Sequence, residues 1–179
     1  TLPDSATRSL VFSEVHAHPA PPSTEEAAVN PLRVASDFEF LELANFGTEA
    51  VDLGDLRLID GVRFSFSTSG IPVLAPSARL VLVRNRGAFA QRYGAAVGIA
   101  GEYQGGLNAD GETLRVVDGL GRTVASAAYR TESHPAADGL GFSLVLLNEV
   151  GNGTNGARVV REEDWRVGRE IGGSPGIPD

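Results

Sequence analysis

The stretch DFEFLELANF, residues 37–46, alternates in a way that decides the class of fold. In an extended chain, side chains two apart share a face. Leu41 and Leu43 then face inward with Glu39 on their side, while Phe38, Phe40 and Glu42 share the other. The same period returns in SLVFSEVH (9–16), LRLID (56–60), VRFSF (62–66), RLVLVR (79–84), ETLRVV (112–117), RTVASAAY (122–129) and FSLVLLNEV (142–150). Period-two alternation over short runs is the signal of β-strands.

Turn chemistry lies between these runs. Asp-Gly occurs at 60–61, 110–111, 118–119 and 138–139, and Asn-Gly at 155–156. Such dipeptides tolerate positive φ and favour tight hairpins. Asp118-Gly119-Leu120-Gly121 separates ETLRVV from RTVASAAY, which predicts an antiparallel pair joined there. LNADGETL (107–114) sets Asn108, Asp110 and Glu112 at alternating positions, lacks the rest of a calcium loop, and reads as a hairpin turn. One stretch reads as helix, RGAFAQRYG (86–94), with Ala88, Phe89 and Tyr93 near helical spacing and Gly94 as the stop. HPAPPSTEEAAVNP (18–31) is rich in Pro and small residues and reads as a long surface loop. Many short strands with little helix predict an all-β antiparallel sandwich or barrel. No internal repeat or second domain is visible, so residues 1–179 read as one domain with its core over about 8–179.

Composition narrows the function classes. Hydrophobic residues make up 42% and charged residues 21%, the balance of an ordinary globule. The net charge of −8 argues against general nucleic-acid affinity, which needs clustered cations to displace counterions from phosphate. All 15 cationic side chains are Arg. Without Cys, neither a disulfide framework nor a thiolate zinc site can form. No stretch approaches the roughly 20 apolar residues of a membrane span, so no membrane insertion is expected. Thr1 opens no signal-peptide pattern, and with no Met in the chain the expectation is a processed protein or an excised domain.

Candidate chemistry is sparse. In FSEVHAHP (12–19), Glu14, His16 and His18 would line one face of a strand like the start of a metal site, but third and fourth ligands are not apparent. GNGTNG (151–156) matches G-x-G-x-x-G, yet only 23 residues follow it and no βαβ unit fits, so it reads as a glycine turn. GLGFSLV (139–145) resembles a nucleophile elbow only in part, because Val145 stands where that motif needs Gly. His134 reads as a loop histidine with no triad spacing. Glu14, Asp37, Glu39 and Glu42 are the calcium candidates, set against solvated carboxylates facing Arg across a sheet. Two Arg clusters, Arg84/Arg86/Arg92 and Arg158/Arg161/Arg166/Arg169, read as salt-bridged surface, the second being interleaved with Glu162, Glu163, Asp164 and Glu170.

Taken together these stretches resemble a bacterial lamin tail domain. LVFSEVHAHP is similar to that family's opening strand. DFEFLELANFG matches its marker strand, with Glu42 and Asn45 at the most characteristic positions. VDLGDLRLIDGVRFSF resembles the turn and strand that follow, although Asp55 and Leu56 stand where Gly and Trp are usual. LAPSARLVLVRNRGAFAQRYG, GLNADGETLRVVDGLGRTVASAAY, GFSLVLLN and the closing Trp165…GSPGIPD are similar to later pieces in the same order. The resemblance covers about residues 8–179. It implies an immunoglobulin-like antiparallel β-sandwich, here with one short helix near 86–93, in which His16 and His18 are structural or surface residues.

The resemblance also implies a non-catalytic interaction or structural accessory module of a larger secreted or cell-surface bacterial protein. Its loops, especially 18–36 and 151–164, would meet a partner protein, wall component or polysaccharide. Phe46, Tyr103, Tyr129 and Trp165 are the candidate surface aromatics, each equally a core candidate. Two alternatives stand beside it: nucleic-acid binding, as in some nuclear lamin tails, and a calcium-stabilised adhesion module. An enzyme has no motif in its favour; a clustered Glu pair with raised pKa in a deep cleft would be its sign.

Overall fold

The computed structural model describes residues 9–148 and 158–179, the side chain of Arg158 excepted. Its strands run, in chain order, β1 (Leu10–His16), β2 (Phe40–Asn45), β3 (Val51–Asp52), β4 (Arg57–Asp60), β5 (Phe64–Ser65), β6 (Val73–Leu74), β7 (Arg79–Val83), β8 (Ile99–Glu102), β9 (Gly111–Val117), β10 (Thr123–Arg130), β11 (Phe142–Leu146), β12 (Arg158–Val160) and β13 (Trp165–Ile171). Six of them form one sheet in the order β13-β11-β1-β2-β7-β8, and five form a second in the order β12-β10-β9-β4-β5. A short β3-β6 ladder stands apart. The result is an immunoglobulin-like β-sandwich. Its main core interleaves Phe12, Leu41, Leu43 and Leu82 with Leu58, Leu114, Val116 and Val124.

The predicted alternation in β2 is real, but neither face meets water. Leu41 and Leu43 join the main core, whereas Phe40 packs with Val81, Val83 and Phe89 in a second cluster on the sheet's far side. Every residue of β1 and β2 is buried. The far side is roofed at one end by helix α2 (Arg86–Tyr93). Asn85 caps it, its Oδ1 accepting the Ala88 N–H at 2.9 Å, and Gly94 ends it at φ +83°. Asn45 anchors the end of β2: its side chain accepts from Ser9 Oγ and Gly47 N and donates to the carbonyls of Glu49 and Leu74.

Several expectations need correction. The segment 18–31 is no plain loop, because it carries a helix, α1 (Thr24–Val29). Ser23 and Glu26 cap it reciprocally: the Ser23 N–H donates to Glu26 Oε2 at 2.8 Å and the Glu26 N–H to Ser23 Oγ at 3.2 Å. The sheets are not antiparallel throughout; β8 runs parallel to β7, and β12 parallel to β10. VRFSF holds only the two-residue β5 before a 3₁₀ turn at Phe66–Thr68. Residues 107–110 turn the chain from β8 in one sheet to β9 in the other, so they are a crossover and not a hairpin. The β9–β10 hairpin does form, with Asp118 accepting from the N–H groups of Leu120 and Arg122. No helix among the described residues is long and apolar enough to cross a membrane.

Candidate functional site

A cleft of about 230 Å³ opens on the far side of the six-stranded sheet, lined by Glu14, Glu42, Arg79, Arg166 and Asp179 among others. Adjacent strands bring the two glutamates together: Glu14 of β1 and Glu42 of β2 are register partners. An irregularity in β1 between Phe12 and Glu14 adjusts the facing of the strand there. Both carboxylates are almost wholly buried, at 2% and 1% exposure.

What covers them is the segment Ser174–Asp179. Glu14 Oε1 accepts the Ser143 hydroxyl at 2.6 Å and the Ser174 N–H at 2.9 Å. Glu42 Oε1 accepts from Ser13 Oγ at 2.5 Å and Arg79 Nη1 at 2.7 Å, and its Oε2 takes the Gly176 N–H at 2.7 Å. Asp179 closes the arrangement, accepting from Arg166 Nη1 at 2.7 Å and the Arg169 N–H at 3.0 Å. Gly173, at φ +84°, has to be glycine because a Cβ there would run into the Glu14 carboxylate.

Burial dominates the electrostatics. It pushes the Glu14 carboxyl up to about 7, against the pull of the Ser143 and Ser174 hydrogen bonds, with Glu42 and Asp179 adding like charge. Burial also raises Glu42, against Ser13 and Arg79. At Asp179 burial works the same way but is outweighed by the Arg169 N–H and the Arg166 guanidinium, which hold it below the usual range. A clustered glutamate pair with raised pKa is thus present. Its oxygens face protein donors, however, and serve as anchors for the overlying segment.

Beyond the Glu14–Glu42 pair, the calcium candidates are not brought together. Glu39 lies on the core side, where Arg84 at 2.8 Å, the Leu107 N–H at 2.9 Å and the Tyr103 hydroxyl at 3.2 Å bind its carboxylate. Burial raises its pKa as well. Asp37 is half-buried and accepts the Val34 N–H at 3.0 Å ahead of β2. Among the described residues no group of three or more His, Asp or Glu could hold a metal ion. His16 is buried edge-on to Phe40, and burial drives its pKa down to about 3. Its Nδ1 lies 3.4 Å from the Tyr93 hydroxyl. His18 leaves the strand and pairs with Asp138 at 2.9 Å. The three residues of the opening stretch therefore have three separate surroundings.

The surface-aromatic expectation is overturned for three of its four residues. Tyr103, Tyr129 and Trp165 are buried at 5%, 1% and 3% exposure. The Tyr129 hydroxyl donates to Asn108 O and Glu112, and Trp165 Nε1–H to Ala128 O at 2.7 Å. Phe46 is half-buried beneath the Arg79 guanidinium. His134 is a satisfied loop histidine, its Nε2 3.1 Å from Trp165 O. The GNGTNG turn lies outside the described residues, as does much of the 151–164 loop. Sequence reasoning missed the role of Ser174 and Gly176, although the closing GSPGIPD was legible as a motif.

A family model described as Lamin Tail Domain matches residues 3–131. Neither a curated protein nor a solved structure matches the chain. The family match stops short of β11, yet β11 pairs with β1 inside the same sheet.

Proposed function

The chain belongs to the lamin tail domain family, and from that premise we propose that it is a non-catalytic interaction module of a larger secreted or cell-surface bacterial protein. The observation that carries this reading is the use of its buried acids. Glu14, Glu42 and Glu39 are the buried carboxylates whose pKa is raised as a general acid's would be, and each is engaged by donors of the fold itself. Their raised pKa follows from burial in structural networks, which perturb titration as active sites do.

Function then falls to the surface. Segment 18–36 supports this, since Val29, Leu32 and Val34 stand out from it at 74%, 88% and 54% exposure. The partner class is a protein, with wall components and polysaccharides as the competing classes. The net charge of −8 weighs against nucleic acid. The test is turnover of p-nitrophenyl esters, phosphodiesters and glycosides by the purified chain. Background rates are expected; turnover abolished by Glu14→Gln or Glu42→Gln would overturn the reading.

A further inference from the structure

In a chain this acidic, arginines find carboxylates readily. Arg84 ends on Glu39, Arg92 on Glu26, Arg115 on Asp60 and Arg166 on Asp179. Among the described side chains, three arginines make neither an ion pair nor a hydrogen bond: Arg57, Arg63 and Arg86. Two of them share one place, and the third lies on the chain next to it. Arg57 and Arg63 line a cleft of about 420 Å³ at the β4–β5 edge of the five-stranded sheet. The Arg86 backbone N–H donates to Glu102, a carboxylate on the same cleft, at 2.5 Å. That volume lies in the range of pockets that hold ligands, roughly 300–1,000 Å³.

The cleft is built before anything enters it. Register pairs Arg57 with Ser65 and Leu58 with Phe64, and Arg63 exchanges both backbone hydrogen bonds with Gln104, at 2.9 and 2.8 Å. Half-buried Ile59 and Phe64 line the same cleft and supply its apolar surface. An occupant must therefore combine negative charge with apolar bulk.

Ring placement narrows the class. Phe64 meets Phe66 edge-on at 5.1 Å and lies against Gly101, where any Cβ would collide with its ring. A ring held that way offers no open platform for stacking a sugar or a base. Aliphatic side chains fit beside it, and guanidinium forks suit carboxylates. We propose that this cleft binds an acidic, extended segment of a partner protein, its carboxylates on Arg57 and Arg63 and an aliphatic side chain between them. This deepens the interaction-module reading and rests on it.

The test is fluorescence anisotropy with a short fluorescein-labelled peptide of alternating Glu and Leu, and with its Gln-for-Glu counterpart. The acidic peptide is expected to bind, and the Arg57→Gln/Arg63→Gln variant to weaken binding about tenfold or more, as loss of charge-assisted hydrogen bonds implies. Both arginines are exposed and partnerless, so the variant keeps its fold, which circular dichroism verifies. Arg161→Gln, exposed and outside the cleft, should change nothing. No binding up to about 1 mM, the floor of specific affinity, overturns the proposal. So does equal binding of the Gln peptide or by the double variant, or a preference for a single-stranded oligonucleotide or a sulfated oligosaccharide. Hydrolytic turnover would instead sink the module reading, so the two failures are distinct.

Discussion

Glu14 and Glu42 face each other across the β1–β2 register, and each takes a backbone N–H from one short segment, Ser174 on the first and Gly176 on the second. Two buried acids thus hold down the chain 160 and 134 positions away. The strands supply the acceptors and the glycine-rich segment supplies the donors. Neither half has a reason to be where it is without the other.

Opposed titrations should hide the pH dependence of this arrangement. Glu14 binds a proton more tightly folded than unfolded, so its contribution is fully present below 4.5 and lost as pH rises through about 7. Glu39 and Glu42, also raised, act in the same direction. His16 does the reverse: it binds protons less tightly when folded, so stability present above 6.5 is lost as pH falls toward about 3. Between about 4.5 and 6.5 the two offset. Denaturant melts at pH 5 and 7.5 should show Glu14→Gln becoming acid-sensitive and His16→Phe becoming more stable in acid. Each should move by about 2 kcal/mol, at 1.36 kcal/mol for each pH unit crossed. Profiles that stay parallel to the parent would refute the assignment.

Removing Glu42 should be far worse than neutralising it. Glu42→Ala removes the carboxylate that meets Arg79 Nη1 at 2.7 Å, on a side chain only 8% exposed, and frees the Gly176 N–H. Breaking such a buried pair costs about 3–5 kcal/mol. Glu42→Gln keeps an acceptor and should cost less than half of that. Limited proteolysis should then cut the alanine variant near residues 174–179 and spare the glutamine one.

Arg92→Lys is not a conservative change. The guanidinium binds both Glu26 oxygens at 2.9 and 2.7 Å, reaches the Ala20 and Pro21 carbonyls, and stacks 3.3 Å over the Phe38 ring. A lysine cannot reproduce the fork or the stacking. The expected cost is about 1–3 kcal/mol, with faster amide exchange confined to residues 18–38.

Gly111→Ala should be among the most damaging single-methyl changes. Gly111 opens β9 at φ +127°, and its Cβ would enter the Tyr129 carbonyl on the neighbouring strand. Strain and collision together should cost about 2–4 kcal/mol, read as a lowered melting temperature. An unchanged melt would mean that the two strands separate there at little cost.

Millimolar calcium is expected to leave the melting midpoint where excess EDTA puts it. The four candidate carboxylates stand at three separate places, each met by protein donors. A folded-state ligand at a hundred times its dissociation constant adds about 2.7 kcal/mol, which a melt resolves. A clear rise would reopen the metal question.

What could be read beforehand follows the physics of each element. β2, β7, β9 and β10 announced themselves because two-residue alternation survives in the sequence wherever a strand is long and central. β13 did not: as an edge strand it exposes Arg169 and Glu170, so the stretch WRVGREI reads as a charged tail. β3, β5 and β6 are two residues each, too short to carry a period. Helix α1 left its capping signature at Ser23 and Glu26, masked by the prolines before it. The burial of Glu14 and Glu42 had no local signal, since the covering segment arrives from the far end of the chain. Trp165 and Tyr129 were ambiguous in sequence because amphipathic rings serve core and surface alike; only their partners decided it.

The central position of β1 has a temporal consequence. Its neighbours are β2, close in sequence, and β11, whose Ser143 lies 129 residues beyond Glu14. A ribosome adding about 5–20 residues each second would leave one edge of this buried strand open for on the order of ten seconds. Contacts so distant also slow closure itself. The nascent chain thus keeps that edge of β1 unpaired until β11 emerges, and the Glu14 carboxylate uncovered until residue 174 arrives.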